Sequence, residues 1–217
     1  VIKATLNEAS TVLGQDLGAM MNGENTETIN ETINTQPLML AAGIATYRAY
    51  LEAGGKEPSV MAGHSLGEYT ALVVAGSLSF VDALKLVRLR AELMQSAVPQ
   101  GTGSMAAILG LDDDAVRAVC AEAAQGEVVE AVNFNSPGQV VIAGSIAAVE
   151  RAIETAKAKG AKRALPLPVS VPSHCLLMKP AAEKLAEALK AVDIQPPKIH
   201  VIHNADVASY DNVDQIK

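Results

Sequence analysis

A strand, glycine and helix pattern that occurs twice in succession constrains this chain more than any other feature. Gly110, Arg117, Ala118 and Val119 are followed, at one fixed offset, by Gly144, Arg151, Ala152 and Ile153. The first half reads as a strand over 105–109 and a helix over 112–124, the second as a strand over 140–143 and a helix over 145–159. Asp112 and Ser145 stand where N-caps belong, and Gly126 and Gly160 where C-terminal glycines belong. With a strand over 128–134, a turn at Asn135-Ser136-Pro137-Gly138 and a closing strand over 163–167, the order is βαββαβ, the ferredoxin-like arrangement.

The flanks have a different texture. Thr35, Gln36 and Pro37 open a helix whose Leu38, Ala41, Ala42, Ala45 and Ala49 recur at helical spacing until Gly54 and Gly55 stop it. A short strand over 59–62, a glycine-flanked turn, an apolar stretch over 71–75, a helix over 82–95 and a late strand over 199–202 complete an α/β alternation, which predicts a parallel sheet. The chain therefore divides into an α/β core, residues 1–100 and 172–217, with the ferredoxin-like subdomain 101–171 inserted in it. At 217 residues and 49% hydrophobic side chains, there is enough apolar material for one large or two small domains.

Charge and composition remove several functions. The 24 acidic against 17 basic residues give a net charge of -7, the wrong sign for neutralising phosphate backbones, so no nucleic-acid partner is expected. No apolar run reaches the roughly 18 residues of a membrane span, and the N-terminus lacks the basic-then-apolar order of a signal, so a soluble cytoplasmic protein without a membrane partner is expected. Cys120 and Cys175 are too few and too far apart for a disulfide framework or a multi-cysteine metal site; reduced thiols and no metal are expected.

Gly63-His64-Ser65-Leu66-Gly67 fits G-x-S-x-G, in which a serine is forced onto a tight strand-to-helix turn. Glycines on both sides permit close backbone approach, and the turn leaves the Ser65 hydroxyl at a helix N-terminus, where the Leu66 N–H can face a developing oxyanion. A nucleophilic serine needs a base. His64 adjoins it, so the two side chains diverge, while His200 and His203 lie in or beside a strand, where a structural role is usual. His174, in the irregular Val171-Pro172-Ser173-His174-Cys175, is the candidate base; Cys175 beside it is disfavoured as a rival nucleophile.

Arg90 is the other unusual residue. Its helical neighbours Leu86, Val87, Leu93 and Met94 are all apolar, so its guanidinium leaves the buried face, whereas Arg88 lies beside Lys85 and Glu92 and reads as an ordinary solvated charge. A buried guanidinium cannot shed its proton. Three readings remain for it: a snorkelling side chain, a pair with a distant carboxylate, or a clamp for a substrate carboxylate.

Taken together, Gly63-His64-Ser65-Leu66-Gly67-Glu68-Tyr69, Arg90, Asn133-Phe134-Asn135-Ser136-Pro137-Gly138-Gln139 and Val171-Pro172-Ser173-His174 resemble the malonyl-CoA:acyl carrier protein transacylase family of bacterial type II fatty acid synthesis, over essentially the whole chain. The resemblance implies an α/β-hydrolase-like core with a ferredoxin-like insertion. It also implies transfer of malonyl from malonyl-CoA to the phosphopantetheine thiol of acyl carrier protein by a ping-pong route, without a cofactor. By the same resemblance Ser65 is the acylated nucleophile, His174 its base, Leu66 a backbone oxyanion donor and Arg90 the partner of the malonyl carboxylate. Family chains carry a strand and glutamine-bearing loop before the position of Val1 and further elements after that of Lys217, so the resemblance implies a chain truncated at both ends. Lys157, Lys159, Lys162 and Arg163 suit an acidic carrier protein, and read equally as a solvated helix end. Two other functions stay open, a serine esterase or thioesterase of hydrolase-like fold and a non-catalytic carrier-protein-binding fragment.

Overall fold

The structure is a computed structural model that describes residues 1–24, 28–169 and 171–217. In chain order, α1 (Ile2–Leu13), α2 (Leu17–Met21) and α3 (Thr32–Glu52) lead into β1 (Val60–Ala62), α4 (Gly67–Val74) and α5 (Phe80–Ser96). Then follow β2 (Gly103–Leu109), α6 (Asp113–Ala124), β3 (Val129–Ser136), β4 (Gln139–Ser145), α7 (Ile146–Ala158) and β5 (Arg163–Pro166). A short 3₁₀ turn (Leu176–Met178), α8 (Lys179–Lys190), β6 (His200–Ile202) and α9 (Val213–Ile216) complete the chain. Two compact units result, Val1–Ala91 with Leu185–Lys217, and Glu92–Lys184.

In the first unit β1 pairs in parallel with β6, Val60 opposite His200 and Ala62 opposite Ile202. Leu40, Ala41 and Ile44 of α3, Ala71 and Leu72 of α4, and Leu84 and Val87 of α5 pack around Val201 of β6. Full burial of side chains such as Leu40 and Leu84 contributes about 1.5–3 kcal/mol each. Helix α5 begins where Ser79 Oγ accepts from the Asp82 N–H at 3.0 Å and donates to its carboxylate at 2.6 Å, a reciprocal cap. Helix α3 starts at Thr32, ahead of the expected opening at Thr35-Gln36-Pro37. Pro37 therefore stands in the second turn and leaves the Ile33 carbonyl without its usual backbone donor. Its far end is as expected: Gly54 takes φ 85°, a left-handed turn that ends the helix.

The second unit has the predicted βαββαβ order, with an antiparallel sheet arranged β3-β4-β2-β5. Successive side chains of a strand point to opposite faces. Ala106, Ile108, Val140 and Ile142 thus meet Val116 and Val119 of α6 and Val149 and Ala152 of α7, while Met105, Val141 and Ala143 pack with Cys175 on the other face. Asp112 caps α6 through its side chain, accepting from the Ala115 N–H at 2.8 Å. Ser145 makes no such cap; its hydroxyl donates to Glu127 at 3.1 Å instead. The two halves of the sequence repeat also diverge at their matched glycines. Gly110 is a turn residue at φ 91°, whereas Gly144 lies within β4, where an added Cβ would come within 2.0 Å of the Val128 carbonyl oxygen.

Candidate active site

Strand β1 delivers the chain to Gly63 and helix α4 carries it away from Gly67, so Ser65 sits on the turn between them with φ 52°. Non-glycine residues rarely adopt this left-handed region, and its cost is met where surrounding contacts over-determine it. One such contact is steric. A Cβ on Gly63 would lie 2.0 Å from the Gly67 carbonyl carbon, so the turn closes this tightly only with glycine at 63. Gly67 differs from the expectation for a flanking glycine, since a Cβ there meets nothing within 4 Å. The other contacts are polar. The Gly67 N–H donates to the His64 carbonyl at 2.9 Å, and the Glu68 N–H to the Ser65 carbonyl at 3.2 Å. Among the described residues no acceptor takes the Leu66 N–H, which is left at the start of α4 as helix N-terminal donors usually are.

Arg90, on α5, reaches this turn. Its Nη2 donates to Ser65 Oγ at 3.1 Å, and its Nη1 donates to Gln36 Oε1 at 2.5 Å. Gln36 is buried on α3, and its own amide nitrogen donates to Thr32 Oγ1 at 2.9 Å, which fixes which end of the amide faces the guanidinium. The Arg90 guanidinium carbon also lies 5.8 Å from the centre of the Tyr69 ring. None of the ion pairs among the described residues includes Arg90. Burial lowers the pKa of Arg90, opposed by Tyr69, yet a guanidinium remains a cation at any physiological pH. Burial also raises the Tyr69 phenol, against the opposing influence of Arg90, so no phenolate neutralises the cation. Here, then, is a fixed positive charge beside a hydroxyl, held by neutral groups. Arg88 departs from its expected solvated state: it is half-buried and donates to Gln15, which in turn donates to Asn34 at 2.9 Å.

The four histidines have distinct settings. His64 is exposed at the elbow, and His200 is exposed on β6 with Ser209 Oγ 3.2 Å from its Nδ1. His203, directly after β6, is 6% exposed and holds Glu68 Oε1 at 2.7 Å through Nδ1. His174 belongs to the second unit, in the turn ahead of the 3₁₀ segment; its side chain is exposed and its φ is 68°, another left-handed non-glycine. The turn is pinned around it: the Ser173 N–H donates to the Val171 carbonyl at 3.0 Å, and the Leu176 N–H to Glu130 at 2.7 Å. Cys175 is buried with its thiol raised by that burial, a poor nucleophile at neutral pH.

The structure thus brings Ser65, Leu66 and Arg90 together and places His174 on an equally strained turn of the second unit. Sequence reasoning missed the contacts made here by Gln36, by Glu68 with His203, and by Asn204, whose Oδ1 accepts from the Ser65 N–H at 2.8 Å. Gln36 carried the same signal as Arg90, a polar residue followed four and eight places on by Leu40 and Ile44. Of the expected basic cluster, Lys157 and Lys159 are engaged locally, with Glu154 at 2.8 Å and Glu122 at 2.7 Å. Among the described residues no group of acidic, histidine and cysteine side chains could hold a metal ion, and no helix is long and apolar enough to cross a membrane.

The family model of the acyl transferase domain matches residues 3–215. The malonyl CoA-acyl carrier protein transacylase of Escherichia coli (strain K12) is 56% identical over 217 residues, covering 100% of this chain and 70% of the relative. That of Bacillus subtilis (strain 168) is 48% identical over 94% of this chain and 65% of its own length. Among solved structures, the acyl-carrier-protein S-malonyltransferase of Burkholderia pseudomallei 1710b superposes with a TM-score of 0.96 at 60% identity, covering 99% of this chain and 70% of that one. A malonyl-transacylase bound to a type II polyketide synthase acyl-carrier protein gives 0.97 at 55% identity, with the same coverage.

Proposed function

Because this chain belongs to the acyl transferase domain family, we propose that the Ser65 elbow and the Arg90 fork are the working parts of a malonyl transfer site. The protein is an acyltransferase that moves malonyl from malonyl-CoA to acyl carrier protein. The first unit is the core of an α/β-hydrolase-like fold, and the βαββαβ unit is its ferredoxin-like insertion.

Ser65 Oγ attacks the thioester carbonyl carbon, and His174 takes the serine proton as the carbon–oxygen bond forms. Negative charge then develops on the carbonyl oxygen, and the Leu66 N–H, supported by the N-terminus of α4, donates to it. Collapse breaks the carbon–sulfur bond, and the leaving CoA thiolate receives the proton that His174 holds. In the second half the phosphopantetheine thiol gives its proton to His174 and its sulfur attacks the ester carbonyl carbon; the bond from that carbon to Ser65 Oγ then breaks, and His174 returns the proton to Oγ, regenerating the hydroxyl.

Arg90 selects the acyl group. In the resting enzyme its Nη2 donates to Ser65 Oγ. Acylation converts that oxygen into an ester oxygen, a weaker acceptor, and the malonyl carboxylate, one methylene beyond the ester carbonyl, supplies a stronger one. The observation that carries this reading is the unneutralised guanidinium 3.1 Å from the nucleophile, with Gln36 as its neutral partner. Whole-protein mass spectrometry after brief exposure to malonyl-CoA tests it: the wild-type chain gains one malonyl adduct and Ser65→Ala gains none. An adduct that survives on Ser65→Ala places the nucleophile elsewhere.

A further inference from the structure

The trailing residue of the elbow, Glu68, and Asn204 beyond β6 form a closed hydrogen-bonded ring with Ser65. The Ser65 N–H donates to Asn204 Oδ1 at 2.8 Å, the Asn204 N–H donates to Glu68 Oε2 at 2.9 Å, and the Glu68 N–H donates back to the Ser65 carbonyl at 3.2 Å. The second Glu68 oxygen is held by His203 Nδ1 at 2.7 Å. Both backbone polar groups of the strained nucleophile are therefore tied to partners that Glu68 itself orients.

His203 makes this bracket rigid. Its backbone N–H donates to the Ala208 carbonyl at 2.8 Å, and the Val207 N–H donates to the His203 carbonyl at 3.1 Å, so the loop bearing Asn204 closes on itself. The imidazole is 6% exposed, and its Nε2 is buried without a hydrogen-bond partner among the described residues. A carboxylate only accepts, so the Nδ1 that faces Glu68 carries a proton; an N–H at Nε2 would be a buried donor left unmade, which costs about 1–3 kcal/mol.

We infer that Glu68 and Asn204 are positioning residues that hold Ser65 in its left-handed conformation and aim Oγ, setting the rate of acylation and not the affinity for the thioester. The inference rests on the reading of Ser65 as the nucleophile. It explains why a carboxylate stands three residues after Ser65: placed in the first turn of α4 it reaches the loop after β6, joining the two paired strands at their site-facing ends. Gln at 68 keeps an acceptor for the Asn204 N–H, but its amide N–H₂ meets His203 Nδ1, forces the other tautomer and leaves a buried Nε2–H without a partner. Ala at 68 loses both contacts.

Single-turnover acylation by malonyl-CoA, read as adduct mass against time, separates the possibilities. The rate constant is expected to fall in the order wild type, Glu68→Gln, Glu68→Ala, and to fall about 100-fold in Asn204→Ala, the usual cost of a nucleophile displaced by about 1 Å. Half-saturating malonyl-CoA and the malonyl-to-acetyl preference stay at wild-type values, since Arg90 is untouched. Asn204→Asp, which keeps an oxygen for the Ser65 N–H, recovers most of the rate, and this rescue distinguishes a positioning role from a general loss of folding. Reaction of Ser65 with a small fluorophosphonate, which needs no carboxylate clamp, slows in parallel. Wild-type acylation rates in folded Asn204→Ala and Glu68→Ala would overturn the inference, as would a rise in half-saturation at unchanged rate. Persistent acylation of Ser65→Ala would instead remove the nucleophile assignment beneath it.

Discussion

Replacing Gln36 by glutamate changes one neutral acceptor into a carboxylate with almost no change in shape. The Gln36 oxygen lies 2.5 Å from Arg90 Nη1, so the new charge centre would stand about 4 Å from the guanidinium carbon. At that separation two unit charges interact by about 4 kcal/mol for an effective dielectric of about 20. Arg90 is half-buried, and solvent screening removes part of this, leaving roughly 2–4 kcal/mol. The malonyl carboxylate would then meet a cation already paired, which lowers malonyl discrimination by roughly 30-fold to 1,000-fold. Acetyl transfer, which never uses the charge, stays near its wild-type rate. Gln36→Met, which removes the acceptor without adding charge, lowers malonyl transfer less than Gln36→Glu does. The assay is kcat/KM for malonyl-CoA and for acetyl-CoA, with carrier protein as acceptor. A parallel fall for both substrates would show that Gln36 only supports folding, and an unchanged ratio would show that the Arg90 charge does not read the acyl group.

Two other substitutions and one pH series follow from the same geometry. Gly63→Ala drives a methyl to 2.0 Å from the Gly67 carbonyl carbon and abolishes acylation, whereas Gly67→Ala, with open space around it, stays active and gains about 0.4–1 kcal/mol in urea unfolding; equal effects at both positions would contradict the steric account. Burial pushes the Cys120 thiol up to about 12. The folded chain therefore holds that proton more tightly than the unfolded chain, whose thiol titrates near about 8.5, so the contribution to stability is complete below that pH and is lost as pH rises towards the folded value. Between about pH 8 and about pH 10 the urea midpoint is expected to drop further in the wild type than in Cys120→Ala. Matching slopes would mean that Cys120 is not buried as described.

The parts of the fold that announce themselves in sequence are those governed by neighbours a turn or a strand residue apart. The βαββαβ order is legible because Val116, Val119 and Cys120 recur on one face of α6 and because Asp112 and Gly126 punctuate its ends. Ser65 is legible because only a glycine at 63 permits the closeness of the turn, and Arg90 because a cation on an apolar stripe needs an explanation. Contacts across the chain leave no periodic trace. The Glu68 to Asn204 bond and the Arg90 to Gln36 bond join distant segments, so neither partner can be paired from spacing. Arg88 misleads for the same reason, as its partner Gln15 lies on the connection between α1 and α2. The start of α3 differs from expectation because proline favours a first helical turn, and here packing of Asn34 and Gln36 extends the helix ahead of it. Ser145 makes no cap, and its hydroxyl turns instead to the charged acceptor Glu127, a contact 18 residues away that spacing does not announce.

The selectivity of Arg90→Ala tests the central claim most directly. Acyl-enzyme formation is followed by intact mass, in the wild type and in the variant, with malonyl-CoA and acetyl-CoA side by side. Removing one partner of a buried charged pair costs about 2–5 kcal/mol, so the malonyl adduct is expected to form roughly 30-fold to several-thousand-fold more slowly while the acetyl adduct keeps its rate. Equal slowing of both adducts would contradict a clamp, and would leave the guanidinium beside Ser65 as a support for the nucleophile alone.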